Sequence, residues 1–408
     1  MDVPTATESA GTFGDIHRLA DGGFTGDTEV ITTRGPRRID SLNIGQMLYT
    51  LNPTTGLIKT KPVTDIQRLD FEGRFRTIQT RRADLFLHPD QLVPYTTKGL
   101  GEIRFQRAGD LREKRFYQFI NDWNSLHGTP LRQVDITDIL EDYEICVTTE
   151  EHGLSFRSQL PERCEPFHQN GYTGFQFKPE MFKQYQGDIE ALADEVTIRG
   201  GSNQRRRPYK FDGNDFVELI GWFVTEGSLT ETEKSVIVQI AQQTPEHRQT
   251  IRELFDCLGI TVSVSDKSFS VGAPVYADLI EKLCGRTCRE MRLPAFVWTL
   301  NLAQKRLLLE VLFWGDGNDY GVYYTTSSEL AGDVLCLCLE LGIKPRYGRR
   351  GEMWQIYTGR TNDGFDSTKH TDWEWGPRDR YQLTVEDYST VLVGRNGRFQ
   401  WISVSAVS

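Results

Sequence analysis

The chain has 408 residues, 38% hydrophobic and 25% charged, which suits two or three globular domains that each bury a core. Its formal net charge of −10 argues mildly against a nucleic-acid partner, and no apolar run reaches the length of a membrane span. Seven cysteines, an odd number without paired C-x2-C spacing, point away from a disulfide framework or zinc cluster and towards a reduced, cytoplasmic protein.

Residues 1–22 lack the basic start and apolar centre of a signal peptide and read as a tail or a remnant of host-side sequence. From Phe24 to about Thr97 short β segments alternate with turn signals, among them Asn52-Pro53 and Thr55-Gly56. Residues 151–210 interleave aromatic and basic residues and end in Arg199, Arg205, Arg206, Arg207 and Lys210, with no acid between Thr197 and Lys210. Such a run suits a DNA-contacting arm whose cations neutralise phosphates, and it equally suits a solvated linker. Residues 361–379 read as a loop, and the last thirty residues return to strands with Asn396-Gly397 as a hairpin turn. A β region at each end of the chain, enclosing an α/β region, predicts one domain inserted into another.

The middle contains an internal repeat. The first copy opens with an apolar helix in which Phe216, Leu219, Ile220, Phe223 and Val224 fall at helical spacing, stopped by Gly227. A strand, SVIVQIAQ, follows. Thr244-Pro245 then opens a second helix with Ile251, Leu254, Phe255 and Leu258 on one face. The second copy opens KRLLLEVLFWGDGND, continues with the strand YGVYYTT, and has a helix from near Ser327 with Leu330, Val334, Leu337 and Leu341 on one face. Cys336 and Cys338 read as packing residues on or beside that face.

Glu226 and Asp316 occupy the same point of each copy, at the C-terminal end of an otherwise apolar helix. That end is the negative pole, where a carboxylate costs roughly 0.3–1 kcal/mol. A single acid-Gly pair reads as a polar helix stop. Two pairs at matching positions, brought together by side-by-side helices, read as a site for a hard divalent cation such as Mg²⁺, which accepts one or two carboxylates plus phosphate.

Leu219-Ile220-Gly221-Trp222-Phe223-Val224-Thr225-Glu226-Gly227 resembles the LAGLIDADG motif of homing endonucleases, and Leu309-Glu310-Val311-Leu312-Phe313-Trp314-Gly315-Asp316-Gly317 is similar to its second copy. The resemblance covers roughly residues 211–350. It implies two αββαββα halves, at about 211–285 and 295–360, whose sheets lie in the DNA major groove and whose motif helices meet over the minor groove. Gly221, Thr225 and Gly315 would form the close helix interface, with Val311 standing where a glycine is usual and widening it slightly. The two acids would hold Mg²⁺ for phosphodiester hydrolysis on both strands of a long asymmetric duplex site, bound by a monomer. The lysine usual before Leu-Pro is Arg292 here, which keeps the charge but cannot relay a proton. Lys344 is a weaker candidate for its counterpart in the second half.

The outer segments resemble inteins. Gly23-Phe24-Thr25-Gly26-Asp27-Thr28-Glu29-Val30 looks like an opening block, and Leu383-Thr384-Val385-Glu386-Asp387 like one near the end. The implied fold is a multidomain α+β one: a β-rich Hint horseshoe made by residues 23–150 and 361–408, enclosing a linker at 151–210 and an endonuclease at 211–360. Splicing needs junction nucleophiles and a terminal asparagine. Gly23 has no side chain, His88 matches the block histidine but Leu85 replaces its threonine, Gln382 and Ser389 stand where acid or cysteine and histidine are usual, and no His-Asn pair closes the domain. The expectation is therefore a splicing-deficient intein carrying a DNA endonuclease. The rival readings are a DNA-binding relic without cleavage and a competent intein with divergent junctions.

Overall fold

The structure is a computed structural model describing residues 22–96, 102–150, 153–199, 206–233, 235–359, 363–377 and 379–407. Backbone contacts divide the chain into two compact units, residues 127–318 and a discontinuous unit of 1–126 with 319–408. The boundaries drawn from the sequence at 150, 210 and 360 do not coincide with this division. No helix among the described residues is long and apolar enough to cross a membrane.

Residues 127–318 begin with a small α/β part. Its five-stranded antiparallel sheet runs His168–Asn170, Gly174–Phe177, Ile145–Thr148, Glu195–Arg199, Arg206–Arg207. Helices α1 (Gly153–Gln159), α2 (Pro179–Gln184) and α3 (Gln186–Leu192) accompany it, and Phe156 of α1 stacks on Phe175 with ring centroids 4.7 Å apart. The strand pair Gln133–Asp135 and Lys210–Asp212 leads into α4 (Gly213–Glu226), whose N-cap Asp212 accepts from the amides of Asn214 and Asp215.

After α4 come strands Gly227–Glu231 and Val236–Ala241, then α5 (Pro245–Cys257), strands Ser263–Val264 and Ser268–Val271, and α6 (Pro274–Cys284). The element order is αββαββα, and the four strands form one antiparallel sheet. The alternation expected of SVIVQIAQ is present, with Val238 and Ile240 buried. The preceding strand was not legible because GSLTE carries no apolar alternation. Helix α7 (Leu302–Asp316) ends the unit, its N-cap Asn301 accepting from the amide of Gln304 at 2.9 Å.

In the discontinuous unit the second repeat departs from its expected form. One strand, Val322–Thr325, precedes α8 (Ser328–Glu340), where Ser327 caps the helix by accepting from the Leu330 amide. The hairpin Arg346–Arg350 and Met353–Tyr357 follows. These three strands do not form a sheet of their own. They extend an eleven-stranded sheet through the neighbours Arg398–Ser403, Thr390–Arg395, Glu29–Thr32, Met47–Leu51, Ile58–Asp70 and Asp379–Glu386. The physical reason is an open sheet edge: Arg346 pairs with Arg398, so the hairpin is satisfied by the C-terminal strands. Both chain ends contribute to the core, where Val30, Leu48, Leu87, Val391, Val393 and Ile402 pack together. Asn396 and Gly397 take positive φ values of 53° and 71°, the two-residue turn that joins twisted antiparallel strands. Residues 361–379 are not simply a loop: strands Gly364–Asp366 and Thr371–Trp375 lie within them, each paired to an earlier strand.

Candidate functional site

The site is built by the packing of α4 against α7. A Cβ on Gly221 would stand 2.6 Å from Val311 Cγ1, and one on Gly315 would stand 2.4 Å from Thr225 Oγ1. The two contacts lie four residues apart on each helix, so one row of side chains fits the groove of the other. Val311 is thus accommodated by the missing side chain of Gly221. Thr225 satisfies its hydroxyl within its own helix, donating to the Gly221 carbonyl at 3.0 Å. Glu226 and Asp316 are each the next residue after the Thr225–Gly315 contact, so helix packing brings the two carboxylates to one place.

Both helices stop in the same way. The amides of Gly227 and Gly317 donate to the carbonyls of Phe223 and Phe313, with extended backbone at each glycine. A Cβ would lie 2.3 Å from the Phe223 oxygen and 2.5 Å from the Phe313 oxygen. The acid-Gly pairs therefore follow from sterics: the chain can leave each helix at this angle only without a side chain.

The two carboxylates are not equivalent. Asp316 is half-buried, accepts no hydrogen bond among the described residues, and has its pKa pushed up to about 7, first by burial and then by the charge of Glu226. Glu226 is also raised by burial, opposed by a hydrogen bond from Gln242 Nε2 at 3.3 Å. The Gln242 amide has one available orientation, because its Oε1 accepts from the amides of Gln243 and Thr244, both at 2.9 Å. Sequence reasoning missed Gln242; the signal was a polar residue just past the alternating strand and just before Thr244-Pro245. Beside the acids, Trp222 is fully buried and donates to Glu218 at 3.1 Å, while Trp314 and His247 lie 6.0 Å apart between ring centroids.

The remaining candidate residues lie elsewhere. Arg292 is exposed; its backbone amide donates to the Cys284 carbonyl at 3.0 Å, and no hydrogen bond or ion pair joins its guanidinium to either acid among the described residues. Lys344 belongs to the discontinuous unit, where its ammonium donates to Asn121 Oδ1 and Gln400 Oε1 at 2.8 Å each and burial lowers its pKa to about 8.

Two cations of the basic run are committed within their own unit. Arg199 pairs with Glu144 at 2.7 Å, Lys210 with Glu190 at 2.6 Å, and Arg207 is buried. Arg205 lies outside the described residues, and the side chain of Arg206 is not described. The local sequence window contains no acid, but the fold supplies two from outside it, Glu144 just before strand Ile145–Thr148 and Glu190 from α3.

In the discontinuous unit Gly23 and His88 do meet: the His88 amide donates to the Gly23 carbonyl at 3.0 Å. The Gly22 carbonyl accepts from Gln382 Nε2 at 3.0 Å. Gly22, Gly23, Gln91, Gln382, Ser403 and Ser405 line one cleft, so segments from both parts of this unit converge there.

No family model and no curated protein matches the chain. Solved structures do. It is similar to mesophilic variants of the homing endonuclease I-DmoI, with 12% identity over 36% of this chain and 88% of that one at a TM-score of 0.29. It is also similar to I-DmoI in complex with DNA and Mn, with 12% identity over 36% of this chain and 89% of that one at a TM-score of 0.27. A bacterial intein-like domain from Clostridium thermocellum matches with 19% identity over 23% of this chain and 64% of that one, at a TM-score of 0.20. The structural neighbours thus include a LAGLIDADG homing endonuclease and inteins, each over a minor part of the chain.

Among the described residues, no group of three or more His, Cys, Asp or Glu side chains converges to hold a metal ion. Two carboxylates alone still suit Mg²⁺ or Mn²⁺, hard ions that take one or two carboxylates and complete their shell with water and phosphate oxygens. The fit rests on Asp316: a half-buried carboxylate without a hydrogen bond, opposed by a second carboxylate, gains most from a cation between them.

Proposed function

We propose that this protein is a site-specific, metal-dependent double-strand DNA endonuclease of the homing type, inserted in a Hint-like horseshoe that no longer splices. The observation that carries the reading is the pair of half-buried carboxylates, Glu226 and Asp316, at the matched ends of two glycine-contacted helices. In this reading they hold the metal, which would activate water and neutralise the leaving oxygen. The chain's own contribution is positional. Gln242 fixes the Glu226 carboxylate, the α4–α7 contact fixes the separation of the acids, and partial burial desolvates Asp316.

The four-stranded sheet after α4 offers Ser228, Thr230 and Gln239, groups able to hydrogen bond base edges. The outer unit serves as scaffold. Gly23 carries no nucleophile, and the cleft around it is lined by no cysteine or asparagine, which supports loss of splicing.

A second reading, DNA binding without cleavage, is favoured by one observation: no ion pair from lysine or arginine reaches either carboxylate among the described residues. The deciding experiment is digestion of a genomic library with Mg²⁺, comparing wild type with a Glu226→Gln, Asp316→Asn double variant and sequencing the ends. Discrete double-strand cuts by wild type alone are expected, with a loss of at least about a hundredfold in the variant. Discrete sequences bound by both proteins and cut by neither would leave only the second reading.

A further inference from the structure

Duplex DNA needs cations that are not already neutralised, and Arg199 and Lys210 of the run at 199–210 are each paired with an acid. Such cations occur on the discontinuous unit. Between Lys344 and Gly359 the chain carries four cations, Lys344, Arg346, Arg349 and Arg350, against one acid, Glu352. Arg346 pairs across the sheet with Arg398 of the C-terminal strand. Both reach the turn between strands Arg74–Gln79 and Asp84–Leu87. Arg398 Nη1 donates to the Thr80 carbonyl at 3.4 Å and Arg346 Nη1 to the Arg81 carbonyl at 3.4 Å, while Gln400 donates to the Arg82 carbonyl at 3.1 Å. Thr80 Oγ1 stiffens the turn by accepting from the amides of Arg82 and Ala83.

Each of these two guanidinium groups spends one donor on a carbonyl and retains others, and carbonyls do not cancel the charge. None of Arg81, Arg346, Arg349, Arg350 and Arg398 has an ion pair among the described residues. Two buried acids lie nearby and are engaged elsewhere: Asp363 is shared by Arg82 at 3.1 Å and Lys344 at 3.8 Å, and Asp84 accepts from Asn396 at 2.8 Å. Arg346 lies over the Tyr357 ring at 5.0 Å and Arg349 over Trp354 at 4.7 Å, which holds their planes while leaving N–H edges available. The crowding is costly: the Arg346 pKa is lowered by burial and next by the charge of Arg82.

We propose that Arg81, Arg346, Arg350 and Arg398 form a phosphate-gripping surface for duplex DNA on the outer unit, assembled from the turn at 80–82, the hairpin at 346–357 and the C-terminal strand. Like charges held close together with few carboxylates between them are stabilised by a polyanion, and several phosphates spaced along one backbone supply that at once. The inference rests on the reading that DNA is the partner, but it assigns the grip to residues outside the carboxylate site and outside the basic run at 199–210.

The test is fluorescence anisotropy of a labelled random-sequence duplex across a salt series. Wild type, Arg346→Gln with Arg398→Gln, and Arg350→Glu are compared. The double arginine variant should bind roughly tenfold or more weakly, with its log–log salt slope reduced by about two. Arg350→Glu, at an exposed position with no hydrogen bond to lose, should weaken binding without a change in melting temperature. Wild-type affinity and slope in both arginine variants would overturn the proposal, as would a wild type that prefers anionic lipid vesicles to duplex DNA. Arginine-dependent binding by a protein that cuts no library site would uphold the surface and remove the endonuclease reading.

Discussion

Asp316 ends α7 half-buried beside Glu226, and its folded pKa of about 7 stands above the ordinary value of 3.8. The sign of the resulting pH dependence follows from linkage. Below about pH 4 the group is protonated in both folded and unfolded states and costs nothing. As pH rises, the unfolded chain releases its proton first, so native stability falls and continues to fall until the folded group ionises near pH 7. Above that the loss is complete. The metal-free protein should therefore melt progressively lower, relative to Asp316→Asn, between about pH 4 and pH 7. Adding Mg²⁺ at pH 8 should raise the wild-type melting temperature by a few degrees and leave the variant nearly unchanged, in line with a ligand that binds only the native state. Thermal denaturation with and without metal measures both effects. Parallel curves for the two proteins would remove the carboxylate pair from the account.

At the scale of elements, the α4–α7 contact sets the site, and its tolerance is set by Gly221 and Gly315. Gly221→Ala places a methyl group 2.6 Å from Val311 Cγ1, so the variant should lose about 1–3 kcal/mol by overpacking. Adding Val311→Ala should recover part of that loss, giving a double variant more stable than the sum of the single effects. Urea denaturation of the four proteins measures the coupling; strict additivity would mean that these residues do not meet.

The sequence made α4, α5 and α8 legible because apolar residues at helical spacing were bracketed by Thr244-Pro245, Ser327 and the acid-Gly stops. The equivalence of Glu226 and Asp316 was legible for the same reason. What it could not specify was pairing across distance. Arg199 finds Glu144 fifty-five residues away and Lys210 finds Glu190 twenty away, so two cations of an acid-free window are neutralised from outside it. The strand Met353–Tyr357 likewise joins, through its hairpin partner, a sheet whose open edge lies at Arg398, a pairing no local pattern specifies. Gln242 was missed because one polar side chain after a strand has no periodic signature.

At the scale of the molecule, the two units differ in how the chain builds them. Residues 127–318 are one continuous segment containing α4, α7, Gln242 and both acids, while the other unit joins 1–126 to 319–408. A continuous segment with its own core can fold without the rest of the chain. Its core is substantial: Phe216, Ile220, Trp222, Phe223, Leu308 and Val311 are all at most 1% exposed. Residues 127–318 expressed alone should therefore melt cooperatively and bind Mn²⁺ with the affinity of the full chain, to within about threefold, by calorimetry. The same fragment lacks Arg81, Arg346, Arg350 and Arg398, so its affinity for duplex DNA at moderate salt should fall by at least about tenfold. Retained metal binding with weakened DNA binding would separate the place of chemistry from the place of grip. A fragment that binds DNA as tightly as the whole protein would instead put both within residues 127–318. A fragment that fails to fold would mean that the α4–α7 pair depends on the outer unit for its stability.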